Sequence, residues 1–132
     1  PIAKIASGGE LSRVMLALKS VIADKDSIDT MIFDEIDTGV SGKAAQKIGI
    51  KLKEIGKVRQ VICVTHLSQI AVMADNHLLI EKNIVDGRTE TTVTQLDFQG
   101  KTAEIARIMG GDNPGSLVIK AAEDELRKAA EI

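Results

Sequence analysis

Two adjacent acids, Asp34 and Glu35, follow the short apolar run Thr30-Met31-Ile32-Phe33. Such a run reads as a strand, and acids at its C-terminal end lie where open α/β sheets place their ligands. The pair suits nucleotide hydrolysis: the first carboxylate supports Mg²⁺ through water, and the second orients or deprotonates the attacking water. A strand running into a solvated acidic loop would look the same. Ser7-Gly8-Gly9-Glu10 is the second candidate. Its glycines allow close backbone approach, and the N–H groups opening the next helix suit a phosphate. Ser-x-x-Glu is equally a capping box, and both readings can hold together. His66 ends a second apolar run and could hydrogen-bond a phosphate oxygen or the attacking water; its plain reading is a structural histidine at a strand end. Gly100-Lys101-Thr102 mimics the tail of a phosphate-binding loop, but that loop needs a glycine at position 95, where Gln95 stands.

The elements that must position these residues follow from the hydrophobic pattern. Leu11, Val14, Met15, Leu18, Val21 and Ile22 have helical spacing, which predicts an amphipathic helix over 9–24. A polar loop, Asp24 to Asp29, leads to the buried strand 30–33. Ser41 is placed to cap a helix with apolar Ala44, Ala45, Ile48, Leu52 and Ile55, which Gly56 ends. A second buried strand spans 59–65, and a short helix runs to about Ala74. Strand, helix, strand is a βαβ unit and implies a parallel sheet. His77 to Lys82 and Thr89 to Leu96 alternate around Asp86-Gly87, which predicts a hairpin. His77 itself reads as a surface or strand-edge residue. Helices over about 100–109 and 115–131 close the chain.

Composition narrows the class. The 132 residues carry a net charge of -2 and 2% aromatics, against this piece alone being a strong nucleic-acid binder or a base-stacking platform. The one cysteine, Cys63, reads as a buried small hydrophobe in a reducing, cytosolic setting. Apolar runs such as Val61 to Val64 are far below the ~20 residues of a membrane span. Lys51, Lys53, Lys57 and Arg59 read as a solvated helix face. Pro1 is not a natural start, and the first motif follows with no leading strand, as expected of an excised segment.

Taken in order, Ser7-Gly-Gly-Glu10, Met31-Ile-Phe-Asp34-Glu35, Asp37 and Val64-Thr-His66 resemble the second half of an ABC ATPase head: signature, Walker B, D-loop and switch histidine. Spacings of 24 residues from Glu10 to Asp34 and 32 from Asp34 to His66 fit that family. Glu10 in place of the transporters' Gln, and Asp34-Glu-Ile-Asp-Thr-Gly-Val-Ser-Gly42, resemble its SMC-like bacterial DNA repair members. So do Ile5-Ala-Ser-Gly-Gly-Glu-Leu-Ser-Arg13, Cys63-Val-Thr-His-Leu-Ser-Gln69 and Glu104-Ile-Ala-Arg-Ile-Met-Gly-Gly111. The resemblance implies a partial P-loop NTPase fold of class α/β: one C-terminal lobe over 1–132, with a parallel sheet core, a β-hairpin and flanking helices. It implies ATP and Mg²⁺ as cofactors, with Asp34 supporting the metal and Glu35 and His66 catalytic. Ser7, Gly8, Gly9 and Glu10 would touch ATP held by a second head, and Asp37 would lie at the head–head interface. The implied partners are an N-terminal P-loop lobe of the same protein, a second copy of the head, DNA and a RecA-type recombinase, in a bacterial cytoplasm at the nucleoid. Without its P-loop lobe the segment is expected to be inactive, and its exposed sheet edge to favour self-association. Another ABC ATPase lobe, from an SMC-like protein or a transporter, and a non-catalytic interaction module are the alternatives.

Overall fold

The computed structural model describes residues 7–22 and 27–132, so the expected helix end at 24 and part of the loop from Asp24 fall outside it. The elements are α1 (Gly8–Ile22), β1 (Thr30–Phe33), α2 (Gly42–Gly56), β2 (Gln60–Cys63), α3 (Ser68–Ala71), β3 (His77–Val85), β4 (Arg88–Leu96), α4 (Phe98–Gly110) and α5 (Ser116–Ala130). The class is mixed α/β. Contacts divide the chain into two compact units, Pro1–Met73 with Ile132, and Ala74–Glu131.

In the first unit β1 and β2 pair in parallel, from Thr30 beside Gln60 to Phe33 beside Cys63. Backbone bonds from Gln60 N–H to Asp29 and from Val64 N–H to Phe33 extend the ladder at both ends. The crossover helix α2 buries Ala45, Ile48, Gly49, Leu52 and Ile55, the stripe the spacing predicts save for exposed Ala44. Ser41 is the N-cap residue, but its side chain makes no capping bond; it contributes its backbone carbonyl to Ala44 N–H instead. The core joins Leu16, Met31, Phe33, Ile36, Ile48, Leu52, Ile55 and Ile70, with Val61 and Cys63 packed against it.

Two expectations of burial are corrected. The strands read as buried in the sequence, but β1 buries only one face, with Met31 and Phe33 inward and Ile32 70% exposed, and β2 only half-buries Val61 and Cys63 and leaves Ile62 exposed. The helix α1 forms where expected, yet all six residues of its predicted apolar stripe are exposed, Val21 at 83%. Leu16 alone among its large apolar side chains enters the core. Spacing fixes that a stripe exists; it does not say which body covers it. Among the described residues, nothing packs over that side.

In the second unit, β3 and β4 form a nine-residue antiparallel ribbon, from His77 beside Leu96 to Val85 beside Arg88. Asp86 and Gly87 both have positive φ, 50° and 73°, the backbone that a two-residue hairpin turn matched to strand twist requires. His77, read as a surface or edge residue, is buried: the strand starts here with its first side chain turned inward. Asp97 caps α4 by accepting from Gly100 N–H at 2.8 Å. Ile105 and Ala106 of α4 and Ala122, Leu126 and Ala129 of α5 are buried in a helical hairpin. Arg127 lies 5.0 Å from the Phe98 ring centroid, a cation–π contact that ties the start of α4 to the end of α5.

Gly49 is where α2 meets α3 most closely. A Cβ there would lie 2.9 Å from both the Gln69 carbonyl oxygen and Met73 Cγ. Gly49→Ala is expected to destabilise by roughly 1–3 kcal/mol. Gly56→Ala, with nothing within 4 Å of its Cβ, should be neutral or stabilising by about 0.5 kcal/mol. Denaturant melts of both variants check this; equal effects would mean that the helices are not tightly docked.

Candidate functional site

The site grows from the loop after β1. Asp34 and Glu35 are exposed, whereas Ile36 is 0% and Asp37 4% exposed. The loop is thus pinned by one apolar and one polar anchor, and the two acids are displayed at the strand's C-terminal end. Asp34 Oδ1 accepts from Glu35 N–H at 2.8 Å. Glu35 adopts φ 58°, in the left-handed region that costs a side-chain-bearing residue about 1–2 kcal/mol. Its carbonyl accepts from Thr38 N–H at 3.1 Å and closes the turn.

Asp37 ties this loop to the one after β2. Its Oδ2 accepts from Thr65 Oγ1 at 2.7 Å and from His66 N–H at 3.0 Å, and lies 3.0 Å from His66 Nδ1. Thr65 Oγ1 in turn accepts from Leu67 N–H at 3.1 Å. Burial acts to raise the Asp37 pKa. The Thr65 hydroxyl, the His66 N–H and the His66 charge act against it and prevail, holding the carboxyl below its ordinary value. The His66 side chain is 76% exposed, so the pair runs from a buried carboxylate to a solvent-facing ring.

The start of α1 is laid against the same loop. The Ser7–Glu10 capping box is present: Glu10 Oε2 accepts from Ser7 N–H at 2.7 Å, and Ser7 Oγ from Glu10 N–H at 3.3 Å. Those bonds hold the exposed Glu10 carboxyl below its ordinary value. One turn on, Ser12 Oγ donates to the Asp34 carbonyl at 2.9 Å. Arg13 Nη1 donates to the carbonyls of Ile36 at 3.2 Å and Thr38 at 2.9 Å. Gly9 is buried: a Cβ there would stand 2.8 Å from the Glu35 carbonyl oxygen, and one on Gly8 would collide with Glu35 Oε2. The glycine pair therefore lets the helix start touch the acidic loop of its own chain, while Ser7, Gly8 and Glu10 remain exposed.

Asp34, Glu35, Asp37, Thr38, Val64, Thr65 and His66 line one open depression of about 260 Å³. Of the expected site residues, Asp34, Glu35, Asp37 and His66 line it, Gly8 and Gly9 approach Glu35, and Ser7 and Glu10 are not among the lining residues. Thr65, Ser12 and Arg13 were not singled out in the sequence; the only available hint was their place next to His66 and Glu10. Among the described residues no three His, Cys, Asp or Glu side chains converge on a metal position. An exposed carboxylate such as Asp34 suits Mg²⁺, which is commonly held by one or two carboxylates, waters and substrate phosphates. The lining offers carboxylates and no Lys or Arg, so a triphosphate would need its cradle from elsewhere.

The groups of Gly100-Lys101-Thr102 are committed within the second unit. Gly100 N–H donates to Asp97, Lys101 Nζ to the Asp75 carbonyl, and Thr102 Oγ1 to the Phe98 carbonyl at 3.0 Å. Cys63 is half-buried against the core. Its thiol pKa is pushed up to about 11, first by burial and then by the charges of Asp37 and Asp34, the state of an inert thiol. Among the described residues no helix is long and apolar enough to cross a membrane.

Two stability measurements test this geometry. Asp37 has a depressed folded-state pKa, so its stabilisation is complete above the unfolded value, about 3.9, and is lost as pH falls through the folded one. Asp37→Asn should therefore be destabilised by a constant amount near neutrality, with the gap to wild type closing below about pH 4. A gap that persists in acid would mean the carboxylate charge is not what holds the loops. Glu35→Gly should gain about 1 kcal/mol by relieving the left-handed backbone, measured by chemical denaturation; a loss would show that the Glu35 side chain stabilises the loop.

No family model matches the chain. Similarity to known proteins is nonetheless extensive. The chain is 47% identical over 131 residues to "DNA repair protein RecN" of Bacillus subtilis (strain 168), 99% of this chain and 23% of the relative. It is 46% identical over 132 residues to the protein of that name from Halalkalibacterium halodurans, covering 100% and 23%, and 42% over 130 residues to that of Treponema pallidum, covering 98% and 23%. The chain thus spans about 23% of the length of the curated relatives it matches. Identity at this level over essentially every residue places the chain in the family of DNA repair protein RecN, as a segment from the C-terminal part of such a protein.

Proposed function

We propose that this chain is the C-terminal lobe of an ATPase head that serves DNA double-strand-break repair and recombination, hydrolysing ATP once an N-terminal P-loop lobe of the same protein is supplied. The observation that carries this reading is the convergence of Asp34, Glu35 and His66 on one depression at the C-terminal end of a parallel strand pair. In the reaction, Glu35 takes or orients the proton of the attacking water as its oxygen bonds the γ-phosphorus and the bond to ADP breaks. Asp34 would hold Mg²⁺, whose chemistry is to neutralise charge building on the phosphates. His66 would sense the γ-phosphate. Ser7, Gly8, Gly9 and Glu10, at the open start of α1, would meet the ATP of a second head. Direct contact of Gly8 and Gly9 with the Glu35 loop would then make arrival of that second head felt at the catalytic carboxylate.

The bare side of the first unit supports a missing lobe. Ile32, Ile62 and the α1 stripe are exposed apolar residues of a kind that belongs to an interior. An apolar strand pair with one naked face is what remains when neighbouring layers belong to another stretch of chain. DNA holding, homodimerisation of heads and contact with a RecA-type recombinase are assigned to the full-length protein, since this acidic segment lacks the charge to bind DNA strongly.

ATP hydrolysis should be absent in this chain alone and appear on mixing with the N-terminal lobe. Glu35→Gln should reduce it by at least about 100-fold, the lower end of a general base's contribution. A steady-state phosphate-release assay of all four samples decides. Activity in the chain alone, or full activity with Glu35→Gln, would sink this assignment. Silence in a mixture shown to associate would favour an interaction module.

A further inference from the structure

Outside its buried stripe, α2 carries a row of cations that the fold does not neutralise. Lys43, Lys47 and Lys51 are exposed and follow one another a turn apart, about 6 Å along the helix axis. Between Lys43 and Arg59 stand six basic side chains and one acid, Glu54, although the whole chain is net -2. Three of the six are committed. Lys57 donates to the Ile132 carbonyl at 2.7 Å, and Lys53 and Arg59 are half-buried with contacts of their own. Lys51 meets Glu54 at 2.6 Å, an exposed pair of the kind that contributes little and that a phosphate can replace. Lys43 and Lys47 make no hydrogen bond or ion pair among the described residues.

This row works against the helix that bears it. Like charges four residues apart repel, and Lys43 with Lys47 and Lys47 with Lys51 are two such pairs, spaced within the Debye length of about 8 Å in physiological salt. The first turn of α2 holds Lys43 and no acid, the reverse of the charge that a helix N-terminus favours. Helices α4 and α5 are built differently: Arg107 pairs with Glu104, Arg127 with Glu123 and Lys128 with Glu125. Folding therefore does not account for the α2 row, whereas an external polyanion does. We propose that Lys43, Lys47 and Lys51 form a contact for the phosphate backbone of duplex DNA, an inference that rests on the reading that the full-length protein holds DNA. A row along a straight helix suits a line of closely set charges, and a duplex carries one per ~1.7 Å of its axis. Lysine ammoniums are point charges without a directional fork, and aromatics are only 2% of the chain, so the contact follows the backbone and reads no sequence. Three phosphates are a minor share of the roughly 6–10 that a strong binder neutralises, so the row adds to a grip made elsewhere in the protein.

The test titrates a fluorescent DNA duplex with the full-length protein containing this chain, at several salt concentrations and with a non-hydrolysable ATP analogue present. The triple variant Lys43→Gln, Lys47→Gln, Lys51→Gln should bind more weakly, by a similar factor for duplexes of unrelated sequence. Its plot of log affinity against log salt should be shallower by about 2.7, or about 0.9 for each lysine removed. Arginine at the three positions should keep the wild-type slope, and Lys120→Gln with Lys128→Gln, exposed on α5, should leave it unchanged. The triple variant should melt no lower than wild type, because it loses mutual repulsion and no internal partner beyond Glu54. An unchanged slope, a loss that arginine does not restore, or a lower melting temperature overturns the inference. The same lysine dependence on anionic lipid vesicles but not on DNA overturns the choice of partner. A wild type that binds no duplex at any salt removes the DNA-holding reading and this contact with it, while its ATP hydrolysis without DNA still tests the head by itself.

Discussion

A single buried carboxylate holds the candidate site in shape. Asp37 joins the turn after β1 to the turn after β2, two segments that the chain brings together only because α2 returns the strands in parallel. Taking a carboxylate out of water is costly, and removing its partners would leave that cost uncompensated, typically 3–5 kcal/mol. The penalty works in favour of uniqueness here. Only an arrangement that offers the Thr65 hydroxyl and the His66 N–H together satisfies Asp37, so the loops have one low-energy relative placement. Its neighbour Ile36 does the same with apolar contacts.

The other side of the acidic turn is held by α1. Arg13 and Ser12 donate to three carbonyls of residues 34 to 38, groups that a tight turn cannot satisfy internally. Glu35 thus sits between two clamps, one polar network below and one helix beside it, which together maintain a left-handed backbone that the residue would not choose in isolation. Strain at the residue proposed to handle the attacking water is consistent with pre-organisation. The same clamps explain why two glycines begin α1: a side chain at Gly9 would push the helix away from the carbonyls that Arg13 reaches.

What the sequence revealed was the local part of this design. The helix of α2, the strand end at Asp34, the Asp86-Gly87 turn and the capping box each follow from a few neighbouring residues, whereas the second strand ends at Cys63, short of the expected 65. What it concealed depended on contacts at long range. Nothing near Asp37 indicates that its side chain turns inward to residues 28 and 29 positions away, and it was read as an interface residue on resemblance alone. Nothing near Thr65 separates it from any other strand-end threonine. His77 reads as a surface or strand-edge residue because no motif surrounds it, but the first side chain of β3 turns inward and is buried.

The bare apolar stripe of α1 and the bare faces of Ile32 and Ile62 carry the argument further, because they lie on the same elements as the site. Elements β1 and α1 each bury one side in this chain's core and leave the other to solvent. A body that covered the open side would press on the supports of Asp34, Glu35 and the Gly8–Gly9 helix start without touching those residues. Packed interfaces are bistable rather than continuously deformable, so small shifts of such a body would move α1 against the acidic turn as a unit. Gly9 leaves no room for a side chain against the Glu35 carbonyl, and Ser12 and Arg13 tie α1 to the carbonyls of Asp34, Ile36 and Thr38, so a shift of α1 would be carried into the backbone of the acidic turn.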